Sequence, residues 1–539
     1  MNPPETLAER VMGALTKGSR VDREEFLHEH PEWQQRRQVS LVLQVQRGEQ
    51  RRPDEDAEES QDEVPEMVPF YKRRAQWFQK NPPKAPSTEA DTSRFAKRQM
   101  YSDQTIFCGR PYFNYQAIPP TLLCPQFSQF MVDLDSCTPS TSDIKFFHQL
   151  SHDMSNIFTD ETVRNNAFID IMRGHGFPDL SKTYIGKFHN DGSLEVYINK
   201  LGKSAIYLVL EVKNELGKGG AEPMVQAALY WLESIRPFAE DGDSQLHYQT
   251  NFPAVLLLHN GESCPARLLV CATLSIGPCI SAAVAVYADA PNVQILNPVI
   301  PLHFHPSDYK ARATGERFVC ALRRLLSDLK NYYTASAFSQ QSYLQPQFPF
   351  YSAYTDGNVS HQFVYEKQID QRTVFVAHLR DNPKDKIFVK FTRCYGEDAH
   401  RAAHARGFAP RLRAVERFQD GWIMVVMDDV SHQYREIERR PLEKNMYKAV
   451  QQALVELHRE GFVHGDLREA NIMVKRDRVD SEGLHDIILV DFDWAGKEGS
   501  VRYPSNITLN HILLPRPDDV ERGGPIAVAH DDQMLKFLS

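Results

Sequence analysis

The chain has 539 residues, 42% hydrophobic and 25% charged, which is more than one ordinary domain and excludes a disordered or fibrous polymer. Seven carboxylates in residues 54–63 (DEDAEESQDE) contribute to the formal charge of −9, so the rest of the chain is near −2 and net charge selects no polyanionic or polycationic partner. Eight cysteines without CxxC pairs exclude a disulfide frame or a zinc-ligand set and read as thiols of a reducing compartment.

Residues 1–64 open the chain, with apolar and charged positions alternating at helical spacing to about residue 50 and the acidic run as a linker. The start lacks an apolar h-region, so no standard secretory signal peptide is expected. Residues 65–154 form an extension in which "NPPKAPSTEADTS" (81–93) reads as an exposed connection. Over 155–335 the pattern is α/β. It runs through a helix "TDETVRNNAFIDIMRGHG", a strand, a hairpin turn at Asn190-Asp191-Gly192, and two strands ending in "AIYLVLEVK". A helix through "PMVQAALYWLESI", the strand "AVLLLHNG" and the amphipathic helix "YKARATGERFVCALRRLLSDLKNYY" follow. Leu268 to Tyr287 carries no charge over a membrane-spanning length. Gly277-Pro278 at its centre and its Val- and Ile-rich halves predict two buried strands instead, and no membrane partner. Residues 336–355 form a linker. Residues 356–539 begin with the strands "HQFVYEKQ", "TVFVAHLR" and "KIFVKFT" and continue through a short helix, "GWIMVVMDDV" and the helix "NMYKAVQQALVELHREG". The fold class is multidomain, α/β and α+β, with a helical N-terminal extension. Basic groups such as Arg36-Arg37 and Lys72-Arg73-Arg74 read as solvated faces, and the expected setting is intracellular, cytoplasmic or nuclear.

Phosphoryl transfer needs a lysine on the nucleotide phosphates, carboxylate and amide oxygens on magnesium, and a carboxylate beside the attacking hydroxyl. The last part of the chain holds candidates in that order. Lys390 ends the strand "KIFVK", Asp466 and Asn471 stand in "VHGDLREANIMV", and Asp491 stands in "ILVDFDWAG". Asp466 would orient or deprotonate the acceptor, while Asn471 and Asp491 would hold the metal. These motifs resemble the protein kinase-like superfamily, and more narrowly the fungal-type kinase-like domains with "HGDLRxxNIMV", "LVDFDWAG" and a late "HD..ML", here His530, Asp531, Met534 and Leu535. The resemblance implies a compact kinase-like domain that binds ATP and magnesium and transfers phosphate to a Ser/Thr hydroxyl of a protein substrate. It also implies a helix carboxylate paired with Lys390, for which Glu397 and Asp398 of "YGEDAH" are the candidates. There are departures: no GxGxxG stands between the first two strands, Gly465 replaces the arginine of HRD, and no APE follows Asp491. A pseudokinase is the alternative that they leave open.

In the middle of the chain, Glu211 and Lys213 end a strand and face the same way, because side chains alternate. A magnesium-dependent nuclease needs two converging carboxylates and a nearby lysine, and Asp179 of Pro178-Asp179, approaching from the neighbouring strand, would complete that set with them. The same residues also read as the polar end of a half-buried strand with Asp179 as a cap. The assembly resembles the restriction-endonuclease-like PD-(D/E)XK fold over about 155–335. That resemblance adds Glu161 as a further metal residue and Gln226 and Tyr230 as a QxxxY helix, and it makes DNA a further partner. Gly217, Gly219 and Gly220 read as a loop over that site. From about residue 100 the architecture is similar to crinkler-related fungal proteins that join a nuclease-like to a kinase-like domain. A magnesium-dependent nuclease effector, with the kinase-like domain regulatory, is the second functional expectation.

Overall fold

The computed structural model describes residues 69–111, 117–182, 184–198, 202–215, 221–241, 249–262, 278–335, 345–369, 373–437, 441–476, 486–509 and 514–539. The helices and acidic linker expected over 1–64, Gly217 to Gly220 and the first half of the charge-free stretch lie outside the described residues.

Helix α1 (Phe70–Lys80) closes onto the first unit through Arg74. This arginine, expected on a solvated face, is fully buried. Its guanidinium lies 5.1–5.2 Å from the ring centroids of Phe70, Phe252 and Tyr287 and donates to the backbone oxygens of Thr250 (3.2 Å) and Tyr287. A planar guanidinium can satisfy its edge on carbonyls while its faces take aromatic rings, which is why the core accepts it. Burial lowers its pKa to about 10.

Helices α2 (Pro125–Ser136), α3 (Thr141–Met154) and α4 (Glu161–Gly174) follow. Asp160 caps α4 by accepting the Val163 N–H at 2.9 Å, which fixes Glu161 in the first turn. The first sheet has the order β1 (Gly192–Ile198), β2 (Lys203–Glu215), β3 (Ala254–Glu262), β4 (Cys279–Tyr287), β5 (Pro291–Ile295). Only β2 and β3 are parallel, and helix α5 (Pro223–Glu240) makes the crossover that a parallel pair requires. Every residue of β4 is buried, so the second half of the charge-free stretch is a strand covered on both faces. Among the described residues no helix is long and apolar enough to cross a membrane. Helix α6 (Tyr309–Thr334) ends the unit against α2, α3, β1 and β2.

One turn falls elsewhere than expected. Asn190-Asp191-Gly192 is not a hairpin tip, because Gly192 already pairs with Leu210 as the first residue of β1. The chain reverses earlier, where Ile185 pairs with Phe188. Asp191 therefore stands at the strand entry beside Glu211.

The second sheet is antiparallel, in the order β10 (Leu412–Arg417), β11 (Ile423–Asp428), β9 (Lys386–Thr392), β8 (Val374–Leu379), β7 (Val359–Gln368), β6 (Ala353–Asp356). Helix α7 (Glu397–Ala405) lies between β9 and β10 in the chain. Below it sit helices α8 (Lys444–Arg459) and α9 (Val528–Lys536) and a small sheet β12 (Tyr434–Glu436), β13 (Ile472–Lys475), β14 (Ile487–Leu489).

The hydrophobic core of the first unit continues into the second sheet through Tyr365, Phe375, Phe391 and Trp422, while α7, α8 and α9 enclose a core of their own. Polar contacts follow the same junction. Trp422 Nε1 donates to Thr121 Oγ1 at 3.1 Å, Ser128 Oγ donates to Asp420 Oδ2 at 2.8 Å, and Tyr351 stacks on Phe418 at 3.9 Å.

Candidate functional site

A cleft in the C-terminal part, with Asp466, Arg468, Asp491, Asp493, Trp494 and Arg516 in its lining, encloses about 270 Å³. The four residues expected there meet in two pairs. Lys390 Nζ lies 2.6 Å from Asp491 Oδ1, and Asn471 Nδ2 donates to the backbone oxygen (2.7 Å) and Oδ2 (2.9 Å) of Asp466. With its amide nitrogen committed, Asn471 is left with its oxygen for a cation.

The loop that carries Asp466 hangs from a carboxylate on the last helix. Asp531 is fully buried and accepts the backbone N–H groups of His464 (2.7 Å) and Gly465 (2.8 Å), while His458 Nε2 lies 3.1 Å away. Gly465 takes φ +79°, a conformation that L side chains rarely adopt, and a Cβ there would stand 3.0 Å from Ile526. An arginine at this position would therefore be strained, which is a local reason for the glycine. Asp491 also takes a left-handed φ of +66°.

The segment around Asp491 is pinned to α7. The Gly396 N–H donates to the Phe492 oxygen at 2.9 Å, and a Cβ on Gly396 would come within 2.2 Å of the Ala495 oxygen. The Phe492 ring stacks on His400 at 4.5 Å with planes 7° apart. His400 is buried, its Nε2 lies 2.9 Å from the Pro410 oxygen, and burial lowers its pKa to about 4.

The helix carboxylate expected on Lys390 is not there. Glu397 lies in the first turn of α7, where Arg401 (3.0 Å) and Arg417 (2.9 Å) take its two oxygens, and Asp398 is exposed. The second carboxylate on Lys390 is Asp493, at 2.8 Å. Burial disfavours the Lys390 ammonium, but Asp491 and Asp493 more than offset this and raise its pKa. Asp491 is held below its ordinary value by Lys390 against the effect of burial. Asp493 is pushed up to about 6 by burial and by the charge of Asp491.

Among the described residues no three His, Cys, Asp or Glu side chains converge as a ready-made metal site. The donor set nevertheless suits magnesium, since the Asp491 carboxylate already faces a positive group and the Asn471 amide oxygen is left free of the hydrogen bonds its nitrogen makes, and both are oxygen donors. Sequence reasoning missed Arg516, whose Nη2 lies 2.5 Å from Asp466 Oδ1 and whose guanidinium lies 5.1 Å from the Trp494 ring. No local pattern announces it. Asp493 was visible as the second aspartate of "DFD".

A second cluster forms at β2. Glu211 is fully buried, with Oε1 2.7 Å from Lys213 Nζ, and the same ammonium lies 3.4 Å from Glu161 Oε1. The structure does not bring Asp179 to this group. Its side chain is 70% exposed and pairs with Arg173 at 2.8 Å. Asp191 takes that place instead, with Oδ2 accepting the Val212 N–H at 2.9 Å. The missed signal is positional: an aspartate at the strand entry opposite the strand with Glu211 can reach it, whereas Asp179 precedes the short ladder that intervenes. Burial and then Asp191 raise Glu211 well above the carboxylate range, and burial raises Asp191. Burial opposes the Lys213 charge, but Glu211, Glu161 and Asp191 outweigh it and raise the lysine. Glu211 Oε2 is buried without a hydrogen-bond partner, so the cluster has an oxygen to offer a cation. Gln226 is buried nearby on α5, and Tyr230 Oη donates to the His189 oxygen at 2.6 Å; burial, Glu211 and Asp191 push the Tyr230 pKa up to about 12.

No protein-family model matches the chain, and no curated protein matches it. Its neighbours among solved structures include protein kinases. Vaccinia related kinase 3 is 16% identical over 37% of this chain and 68% of that one, with a TM-score of 0.26. The Cydia pomonella granulovirus kinase PK-1 is 14% identical over 32% and 65%, with a TM-score of 0.22. The BubR1 kinase domain is 12% identical over 34% and 61%, with a TM-score of 0.25. Scores this low carry no argument about this chain, whose reading rests on its own strand order and side-chain geometry.

Replacing Asp531 by Ala strands two buried N–H donors, and we expect a loss of about 2–5 kcal/mol in urea denaturation. The His400 pKa lies below its unfolded value of about 6.5, so its contribution is complete above pH 6.5 and is lost as the pH falls towards 4, by up to about 3 kcal/mol. His400→Gln should flatten this acid limb in stability measured against pH.

Proposed function

We propose that the C-terminal part is an ATP- and magnesium-dependent phosphotransferase of protein kinase-like type, acting on Ser/Thr hydroxyls of a protein. The observation that carries this reading is that Asp466 and Asp491 line one cleft while Asn471 is bonded to the first and Lys390 to the second, across as many as 101 residues of sequence. Lys390, released from Asp491, would pair with the phosphates. Asp466, oriented by Asn471, Arg468 and Arg516, would accept the hydroxyl proton as the acceptor oxygen bonds to the γ-phosphorus and the bond to the β-phosphate oxygen breaks. Magnesium, when bound by Asp491 and Asn471, would neutralise charge on the phosphates. With labelled ATP, magnesium and generic protein substrates, we expect transfer that falls about a thousandfold in Asp466→Ala. No nucleotide binding, and no transfer above that control, would sink the reading; binding without transfer would make the domain a pseudokinase.

A second reading is favoured by the Glu161, Asp191, Glu211 and Lys213 cluster: a magnesium-dependent nuclease unit acting on DNA, with the kinase-like part regulatory. A buried carboxylate oxygen lacking a partner, beside a lysine that could stabilise an attacked phosphate, is what supports it. Plasmid nicking with magnesium should be lost in Glu211→Ala, Lys213→Ala and Asp191→Asn and retained in Asp179→Asn. Cleavage that survives Glu211→Ala counts against it.

A further inference from the structure

We propose that Asp493 is the positioning residue of the phosphate-binding lysine, replacing the helix carboxylate; the proposal rests on the phosphotransferase reading of this cleft. Lys390 stands between two carboxylates, Asp491 at 2.6 Å and Asp493 at 2.8 Å. The two cannot have the same task. An aspartate that turns to a metal gives up its lysine, and a lysine that must meet phosphates needs a partner that stays.

Helix α7 cannot supply that partner. Its acidic residues are Glu397 and Asp398 alone; the first is taken by Arg401 and Arg417, and the second is exposed. The residues that α7 buries are Ala399, His400 and Ala403, none of which can pair with an ammonium as an anion.

Asp493, by contrast, is held on both sides. Its Oδ2 lies 3.2 Å from Thr392 Oγ1, and Thr392 is two residues beyond Lys390 on β9, hence on the same face of the strand. The preceding Phe492 is locked to α7 by the Gly396 hydrogen bond and the His400 stack. The carboxylate and the lysine are thus fixed to one framework. Lysine placement then depends on the Phe492 anchor and not on a swing of α7 that makes or breaks an ion pair.

The test uses the full chain. Lys390 acetylation by acetic anhydride, without nucleotide, is followed by peptide mass spectrometry in the wild type, Asp493→Asn, Asp493→Glu and Glu397→Gln, alongside thermal melts. We expect Lys390 to label several times faster in Asp493→Asn, partial return in Asp493→Glu, and wild-type labelling in Glu397→Gln. In turnover, Asp493→Asn should raise the KM for ATP about tenfold with a smaller fall in kcat, and Asp493→Glu should restore part of it. Wild-type labelling and KM in a folded Asp493→Asn, or an equal change in Glu397→Gln, overturns the assignment while leaving the phosphotransferase reading standing. A wild type that neither binds ATP nor transfers phosphate overturns that reading, and the positioning role with it, whatever the labelling shows.

Discussion

The buried carboxylate of Asp531 is the constraint on which the C-terminal site depends. It takes two consecutive backbone N–H groups, from His464 and Gly465, and so decides where Asp466 points. A buried anion of this kind is costly unless its oxygens are occupied, and here the donors are the loop itself and His458. Asp466 then receives Asn471, Arg468 and Arg516, so its orientation is set from three directions before any acceptor arrives.

The two halves of the chain reach the same electrostatic arrangement by different routes. In each, a mostly buried lysine neutralises two carboxylates on or beside a strand: Lys213 with Glu211 and Glu161, and Lys390 with Asp491 and Asp493. The ammonium offsets the cost of burying the acids beside it. The difference lies in the excess of negative charge. At β2 a third carboxylate, Asp191, helps to raise Glu211, whereas in the cleft the surplus falls on Asp493.

The two sheets are joined by a shared core and not by a bare linker. Trp422 and Phe418, at the turn between β10 and β11, meet Thr121 and Tyr351, and Asp420 in the same turn takes Ser128. That turn belongs to the sheet that carries Lys390, since β11 pairs directly with β9. A change in the packing of the first unit therefore has a mechanical route to Lys390 through one strand.

The sequence by itself determined the chemistry that is local. Alternation put Glu211 and Lys213 on one face of a strand, and HGDxxxxN set Asp466 and Asn471 within one loop turn of each other, because both relations span only a few residues of chain. It did not decide which partners arrive from afar. Asp179 and Glu397 were plausible by spacing, yet both found arginines nearby in the chain, and their expected places went to Asp191 and Asp493. Arg516, 50 residues from Asp466, had no local signature at all. Strand register and the packing of α7 and α9 made those choices, since ion pairing falls off steeply with distance and only the tertiary structure says which charges are within 3 Å of one another.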